Sequence, residues 1–245
     1  MSLDSSIEWT DATWNPVTGC TKISPGCMNC YAERMSRRLK IMEQPRYCNG
    51  FDVTLHPEVL EQPFLWRKSR SIFVNSMGDL FHELVPSLFI NDVFATMAKT
   101  PWHKYQILTK RADRLAKLAP SLFWPKNVWM GVTVENKDYL ERINFLRHVP
   151  SIVRFISFEP LLGPITHLDL TGIDWVIVGG ESGPKARPIQ PDWVKEIRNS
   201  CSEQHVPFFF KQWGGTRKWL NGRELEGRTW NEYPRYDTYD FPVQI

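Results

Sequence analysis

The run V-W-M-G-V-T-V at residues 128–134 decides the fold, because it is a nearly continuous apolar stretch rich in β-branched residues. Runs of the same kind occur on both sides of it, at residues 71–75 (SIFVN), 105–109 (YQILT), 153–158 (VRFISF), 175–178 (WVIV) and 206–210 (VPFFF). They do not alternate between apolar and polar residues. Continuous runs of this length are typical of parallel strands that are covered on both faces.

Helical patterns separate these runs, at residues 88–99, 111–119, 138–148 and 192–204. Strand starts recur roughly every 20–35 residues, which is the size of a βα unit. With one more strand near residues 13–18, the sequence predicts an α/β fold, a full or partial (β/α) barrel of about six or seven parallel strands. We expect residues 1–213 to form the barrel domain and residues 214–245 an irregular C-terminal extension packed on it. Residues 47–70 fit no βα unit and are interpreted as an insertion.

Three cysteines, Cys20, Cys27 and Cys30, lie within the segment C-T-K-I-S-P-G-C-M-N-C, directly before a helix-like stretch. Three thiolates on one loop can bind a metal ion or an iron–sulfur cluster, and they leave one coordination position open. The chain has five cysteines, an odd number that is not spread like a disulfide framework. It also has no apolar leader and no apolar run long enough to span a bilayer. These features predict a cytoplasmic protein with reduced thiols and no membrane partner.

Polar and glycine residues follow the predicted strands, and active sites of parallel α/β folds form at those carboxyl ends. Carboxylates at four of these ends are hard to explain by loop polarity alone. The residues that we single out here are Gly78, Asp79, Lys110, Arg111, Glu135, Ser157, Glu159, Gly179, Gly180, Glu181, Lys211, Gln212 and Trp213.

The net charge of +3 is too small to indicate a nucleic-acid partner by itself. The basic residues are nevertheless clustered in three groups, within residues 34–46, 67–70 and 110–117. Such clusters can follow a phosphate backbone, although solvated helix faces have the same composition. Both interpretations remain open at this point.

The cysteine triplet and the residues after the strands together resemble radical S-adenosylmethionine (SAM) enzymes. The phrases N-S-M-G-D-L-F, Q-I-L-T-K-R, G-V-T-V-E-N, F-I-S-F-E-P-L-L-G and W-V-I-V-G-G-E-S-G also resemble a phage- and prophage-associated three-cysteine-motif family. That resemblance covers nearly the whole chain, and it implies a radical-SAM-like fold without an established substrate. Two features depart from the usual radical SAM pattern: six residues, instead of three, separate the first two cysteines, and Asn29 replaces an aromatic residue.

The resemblance implies that the three cysteines hold a [4Fe–4S] cluster and that SAM binds its free iron. Gly78 and Asp79 would receive the SAM amino group, Glu135 and Ser157 would contact the ribose or carboxylate, and Gly179 and Gly180 would lie along the adenine. Glu181, beside these glycines, could accept hydrogen bonds from an amine or a ribose hydroxyl. An external one-electron reductant would drive formation of a 5′-deoxyadenosyl radical. The resemblance and the basic clusters favour nucleic acid as substrate, for base modification or lesion repair. The expected substrate contacts are Lys110, Arg111, Glu159, Lys211, Gln212 and Trp213.

Two other functions remain open from the sequence. In the first, Cys48, which follows Cys30 after 17 intervening residues, completes a structural four-thiolate zinc site. In the second, the protein binds nucleic acid without catalysis: its basic clusters follow the backbone and tryptophans stack on bases. Cys201 occupies an apolar position of a predicted helix, and we interpret it as a core residue.

Overall fold

Seven parallel strands form an open half-barrel in a computed structural model that describes residue 5 and residues 7–235. The strands are β1 (Ala12–Trp14), β4 (Ser71–Val74), β5 (Lys104–Thr109), β6 (Val128–Thr133), β7 (Val153–Phe158), β8 (Trp175–Gly179) and β9 (Phe208–Gln212). They lie in the sheet in this order, and every neighbouring pair is parallel. Strands β1 and β9 are its edges, and no ladder joins them within the described residues. The predicted α/β partial barrel is therefore confirmed.

Five helices accompany the sheet: α1 (Tyr31–Ile41), α2 (Ser87–Lys99), α3 (Ala112–Leu118), α4 (Glu141–Arg147) and α5 (Pro191–Glu203). The outward side chains of the strands share one core with apolar residues of α2–α5, including Val93, Leu115, Ile143 and Ile197. Cys201 of α5 is fully buried in this core, as expected from the sequence. Among the helices that the structure describes, none has both the length and the apolar character needed to cross a membrane.

Aromatic side chains line the inner face of the sheet near the amino-terminal ends of its strands. Trp9, Trp129, Phe155, Trp175 and Phe209 belong to a second apolar cluster, separate from the helix-covered core. The indole of Trp175 lies at the centre of this cluster, with ring centroids 5.7–6.2 Å from the other four. Because these rings occupy the inner face near the amino-terminal ends of the strands, polar side chains that face the inside of the half-barrel lie nearer the carboxyl ends.

The predicted run at residues 13–18 divides into two elements with different partners. Strand β1 joins the large sheet, whereas β2 (Val17–Thr18) pairs in antiparallel fashion with β3 (Thr54–Leu55). The predicted insertion at residues 47–70 therefore has a structural role, because it pairs with the chain just before the first cysteine. The last parallel strand begins at Phe208, two residues later than predicted, because Pro207 accepts a hydrogen bond from Val176 but has no N–H to donate.

The C-terminal extension begins with a short helix, α6 (Lys218–Asn221), and a small antiparallel pair, β10 (Glu224–Leu225) with β11 (Arg228–Thr229). It contacts the barrel at several points: the Trp230 ring packs against Phe208, and Trp175 Nε1 donates to Glu232 O at 2.8 Å. The division of the chain at residue 213 stays a prediction, and residues 236–245 of the predicted extension lie outside the described residues.

Gly131 allows the close contact between strands β6 and β7 on the inner face. A Cβ atom at this position would lie 2.5 Å from ring atoms of the buried Phe155. We therefore expect Gly131→Ala to lower the free energy of unfolding by about 1–3 kcal/mol, measured by urea denaturation. Gly163→Ala is the matched control, since its nearest neighbour would be 3.5 Å away. Equal stability of the two variants would contradict this description of the packing.

Candidate active site

The cysteine loop, residues 19–30, leads from β2 to α1 across the carboxyl ends of the parallel strands. It begins at Gly19, which forms a parallel bridge with Gly78, the residue predicted beyond the second strand of the sheet. Gly19 has φ +83°, and a Cβ atom there would lie 2.2 Å from the carbonyl oxygen of Asp52. Only glycine fits this backbone position. The backbone at Asp52 and the turn at Gly78 thus fix the position at which Cys20 enters the site.

The three cysteines of the loop are free thiols with intermediate exposure. Cys27 ends a 3-10 turn, Pro25–Cys27, and Cys30 stands directly before the first residue of α1. Within residues 7–235, however, no three His, Cys, Asp or Glu side chains are close enough together to hold a metal ion. A zinc site completed by Cys48, which is exposed, is therefore not assembled in the part of the chain that the structure describes.

Glu135, at the end of β6, fixes the first half of the cysteine loop. Its side chain is fully buried, and Oε1 accepts a hydrogen bond from Ser24 Oγ at 2.5 Å. Oε2 accepts from Arg142 Nη1 of α4 at 2.8 Å. A Cβ atom at Gly26 would lie 2.5 Å from Glu135 Oε1, so the turn before Cys27 rests directly on this carboxylate. Lys110 Nζ lies 3.8 Å from the same oxygen.

Glu181, just beyond β8, fixes the second half of the loop. Its Oε2 accepts from Asn29 Nδ2 at 2.9 Å, and Asn29 stands immediately before Cys30. Arg187 donates to both oxygens of Glu181 and, through Nη2, to the carbonyl oxygen of Pro25 at 2.9 Å. Arg34 of α1 connects the same two regions, donating to Asn29 O and Ser182 O.

Asp79 is buried and accepts four hydrogen bonds from the protein itself. Oδ1 accepts from Thr109 Oγ1 at 2.7 Å and from the backbone N–H of Phe81 at 3.0 Å. Oδ2 accepts from Lys110 N and from Arg111 Nη1, at 3.3 and 3.1 Å. Four donors use all the lone-pair sites of a carboxylate. The expected contact of Asp79 with an amino group stays a prediction, and the structure gives this carboxylate a second task, which is to hold Arg111.

The first two thiols lie in opposite electrostatic surroundings. Burial, with the Asp79 carboxylate beside it, raises the pKa of Cys20 to about 11, although Arg111 acts in the other direction. For Cys27, burial alone would raise the pKa, but nearby Lys110 and hydrogen bonds from the Ser24 region outweigh it and lower the pKa. The two thiols also interact with each other. A cationic group thus stands next to each sulfur, but only at Cys27 does the sum of these effects favour the thiolate; at Cys20 burial and Asp79 outweigh Arg111.

A second polar group faces the inside of the half-barrel, beyond the aromatic cluster. Lys211 Nζ lies 2.7 Å from Glu159 Oε1, and Gln212 Nε2 donates to Glu159 Oε1 and Ser182 Oγ at 3.2 and 2.8 Å. A Cβ atom on Gly179 would be 3.3 Å from the Glu159 carboxyl carbon. Ser157 is buried on β7, two residues before Glu159. The sequence-predicted residues of three strands therefore meet here.

Two of the predicted residues contact the C-terminal extension or its start. Trp213 packs edge-on against Phe210 at 4.7 Å between ring centroids, and its Nε1 donates to Glu224 O at 2.9 Å. A Cβ atom on Gly180 would lie 2.1 Å from the carbonyl oxygen of Trp213, so this glycine allows two backbone segments to approach. The predicted ligand contacts of both residues stay predictions.

Sequence reasoning missed the side chains that connect the loop to the strand ends. Ser24, Asn29, Arg142 and Arg187 each contact a buried carboxylate there. Arg142 lies within a helix and Arg187 within a loop, so neither follows a strand directly. The available signal was the count of strand-end carboxylates, since buried carboxylates need cationic or hydrogen-bonding partners.

The Glu181–Arg187 pair predicts a dependence of stability on pH. Burial alone would raise the pKa of Glu181, but hydrogen bonds from Arg187 and Asn29 outweigh it and hold the pKa below the usual value. A carboxyl with a lowered folded-state pKa stabilises the fold above its unfolded-state pKa, about 4.3, and this stabilisation is lost as the pH falls through the folded-state value. We therefore expect Glu181→Gln to destabilise the protein at pH 7 and to differ progressively less from wild type below about pH 4.

Urea denaturation of both proteins between pH 3 and 7 measures this difference. Asp192→Asn, at an exposed carboxylate of α5, should show no comparable change. A wild-type free energy of unfolding for Glu181→Gln at pH 7 would contradict the assigned role of the pair.

Comparison with known proteins gives the chain a family. The model of a family described as "Protein of unknown function (DUF5131)" matches residues 4–234. No curated protein matches the chain. Two solved structures show similarity: a cysteine-to-serine mutant of spore photoproduct lyase and a spore photoproduct lyase complexed with dinucleoside spore photoproduct. The first has 11% identity and a TM-score of 0.45 over 73% of this chain, and the second 10% and 0.43 over 80%. The chain spans 58% and 74% of their lengths.

Proposed function

This chain belongs to the DUF5131 family, and we propose that it is a radical-SAM-type iron–sulfur enzyme that acts on nucleic acid. One observation carries the proposal: three free cysteines share a single loop that buried side chains from three strand ends fix over the open end of a half-barrel. A structural site for one zinc ion requires all its ligands within about 2.3 Å of that ion. In a [4Fe–4S] cluster each thiolate binds a different iron. The three sulfurs therefore do not all have to lie within bonding distance of one shared ion.

The donor set fits such a cluster. Cys20, Cys27 and Cys30 would hold it, and three thiolates leave one iron for another ligand. When bound, the cluster and SAM would supply one-electron cleavage of SAM to methionine and a 5′-deoxyadenosyl radical. This chain's residues would orient both groups and exclude water. The inner-face group of Ser157, Glu159 and Lys211 is the part of the site proposed to contact SAM or the substrate.

The exposed charges next to the cysteine loop support nucleic acid as substrate. Arg37, Arg38 and Lys40 of α1 are exposed on the helix that begins directly after Cys30. The sequence-predicted group at residues 110–117 contributes less to the surface: Arg111 is buried, and Arg114 donates to backbone carbonyl groups. Of these two groups, the one on α1 is therefore proposed to contact phosphates.

The proposal is tested by anaerobic reconstitution with iron and sulfide, followed by dithionite and SAM with single- or double-stranded DNA or RNA. We expect 5′-deoxyadenosine, with more of it formed in the presence of the nucleic acid that is the substrate. Reconstituted protein with its cluster that forms no 5′-deoxyadenosine under any of these conditions would contradict the enzymatic proposal. Nucleic-acid binding that persists in a Cys20→Ala, Cys27→Ala, Cys30→Ala protein, without SAM cleavage by wild type, would instead indicate a binding protein.

The choice of nucleic acid has its own test. The triple variant Arg37→Gln, Arg38→Gln, Lys40→Gln should weaken binding uniformly across sequences. The slope of log Kobs against log [salt] should become shallower by the amount expected for the loss of up to about three phosphate contacts. Lys117→Gln, at an exposed lysine of α3, is the control. An unchanged salt dependence in the triple variant would exclude this helix as the phosphate contact.

A further inference from the structure

We propose that Arg111 is a positioning residue that donates a hydrogen bond to the Cys20 sulfur and thereby raises the reduction potential of the cluster. This inference rests on the proposed function and assigns a residue that the sequence analysis had placed among substrate contacts. Arg111 Nη1 lies 3.3 Å from Cys20 Sγ. The guanidinium is only 2% exposed, so it is a fixed part of the site and has little access to a substrate.

The orientation of the guanidinium is fixed on all its edges. Nη1 also donates to Asp79 Oδ2 at 3.1 Å, and Nε donates to both oxygens of Glu83, at 3.0 and 2.9 Å. Nη2 donates to the carbonyl oxygen and the hydroxyl of Thr21, the residue after Cys20. All three nitrogens of the planar guanidinium donate hydrogen bonds. The N–H that points to the sulfur therefore cannot rotate away without breaking the bonds to Glu83, Asp79 or Thr21.

A fixed cationic donor at a ligand sulfur has a defined effect on a one-electron couple. Reduction adds one electron from an external donor such as dithionite, with no bond to the protein broken, and makes the cluster more negative. Hydrogen bonds to the sulfurs and nearby charge are among the factors that set the potentials of such clusters. The Arg111 guanidinium stabilises the reduced form more than the oxidised form. Its removal also leaves the Asp79 carboxylate near Cys20 without its cationic partner, which lowers the potential further.

Arg114, in the helix α3 that begins directly after Arg111, offers a matched control. It donates to the backbone carbonyls of Phe81, His82 and Val85, and so it holds the same segment as Arg111 does. No hydrogen bond connects it to a cysteine among the described residues. A merely structural contribution of these two arginines would therefore affect both variants, whereas an effect on the sulfur would appear only at Arg111.

The test is an EPR-monitored redox titration of reconstituted wild type, Arg111→Gln and Arg114→Gln at equal iron content. We expect the reduction equilibrium constant of Arg111→Gln to fall about tenfold, a midpoint potential about 59 mV more negative, with Arg114→Gln unchanged. Arg111→Lys keeps the charge but loses the fork, so it should shift in the same direction by less. If Arg111→Gln does not fold, Arg111→Lys decides the question.

Equal potentials in wild type and in the folded Arg111 variants would overturn this inference and leave the proposed function standing. Wild-type protein that takes up no cluster would instead overturn the proposed function, and this inference with it, since both require a bound cluster. A shift of equal size in Arg114→Gln would also overturn the inference, since that arginine has no bond to sulfur.

Discussion

Replacing Cys27 by alanine is expected to remove nearly all iron from the anaerobically reconstituted protein, which otherwise holds about four irons per chain. Cys27 ends the turn that rests on Glu135, and its pKa is lowered where Lys110 lies nearby, so it is better prepared than Cys20 to bind metal as a thiolate. Without it, two thiolates remain on the loop, fewer than a cluster requires. Iron and sulfide analysis, together with the visible absorption of the reconstituted protein, measures the loss.

Cys48→Ala and Cys201→Ser are the controls for this variant. Cys48 is exposed, and Cys201 is buried in the helix-covered core. We expect Cys48→Ala to keep the full iron content, whereas a four-thiolate zinc site would lose its metal with Cys48. Full iron content in Cys27→Ala, or zinc content that depends on Cys48, would contradict the three-cysteine assignment.

Replacing Glu135 by alanine is expected to have the largest effect on stability, a loss of about 3–5 kcal/mol in the free energy of unfolding. The Glu135 side chain is fully buried, and Arg142, which donates to it, is 8% exposed. In Glu135→Ala the guanidinium stays buried with the carbonyl oxygen of Thr133 as its remaining hydrogen-bond acceptor. Ser24 loses the Glu135 acceptor at the same time, so the first half of the cysteine loop loses its contact with β6. Urea denaturation gives the first effect and iron uptake the second.

The exposed ion pair of Arg147 with Asp169 provides the comparison for Glu135→Ala. Its carboxylate is 61% exposed, and surface pairs of this kind contribute at most about 1 kcal/mol. Asp169→Ala should therefore retain nearly wild-type stability and full iron uptake. Comparable losses in the two variants would mean that the buried carboxylate has no special role in fixing the loop.

The parallel sheet could be predicted because both of its faces are covered. Residues 153–158, for example, become a strand with the predicted bounds, since Ile156 and Phe158 enter the helix-covered core while Val153 and Phe155 enter the aromatic cluster. The split of residues 13–18 between two sheets could not be predicted, because it depends on pairing with Thr54–Leu55, far along the chain. A local pattern of apolar and polar residues does not show which distant segment a strand pairs with.

The position of the site's carboxylates at strand ends near the cysteine loop could be predicted, but their hydrogen-bond partners could not. Asp79, Glu135 and Glu181 do lie at strand ends around the cysteine loop, as their positions after apolar runs indicated. Their hydrogen bonds go to Arg111, Ser24, Asn29 and other protein groups. A sequence shows that a carboxylate needs a partner, but it does not show whether the partner is a ligand or an arginine from a distant element.

A cluster held by three thiolates of one loop, with one iron open, should be visible in the EPR spectrum of the reduced, reconstituted protein. We expect a signal typical of a reduced [4Fe–4S] cluster, and we expect its g values to change when SAM is added. The signal should be absent in Cys27→Ala and retained in Cys48→Ala. A reconstituted protein without this signal, or with a signal that SAM leaves unchanged, would contradict a three-thiolate cluster with an open iron.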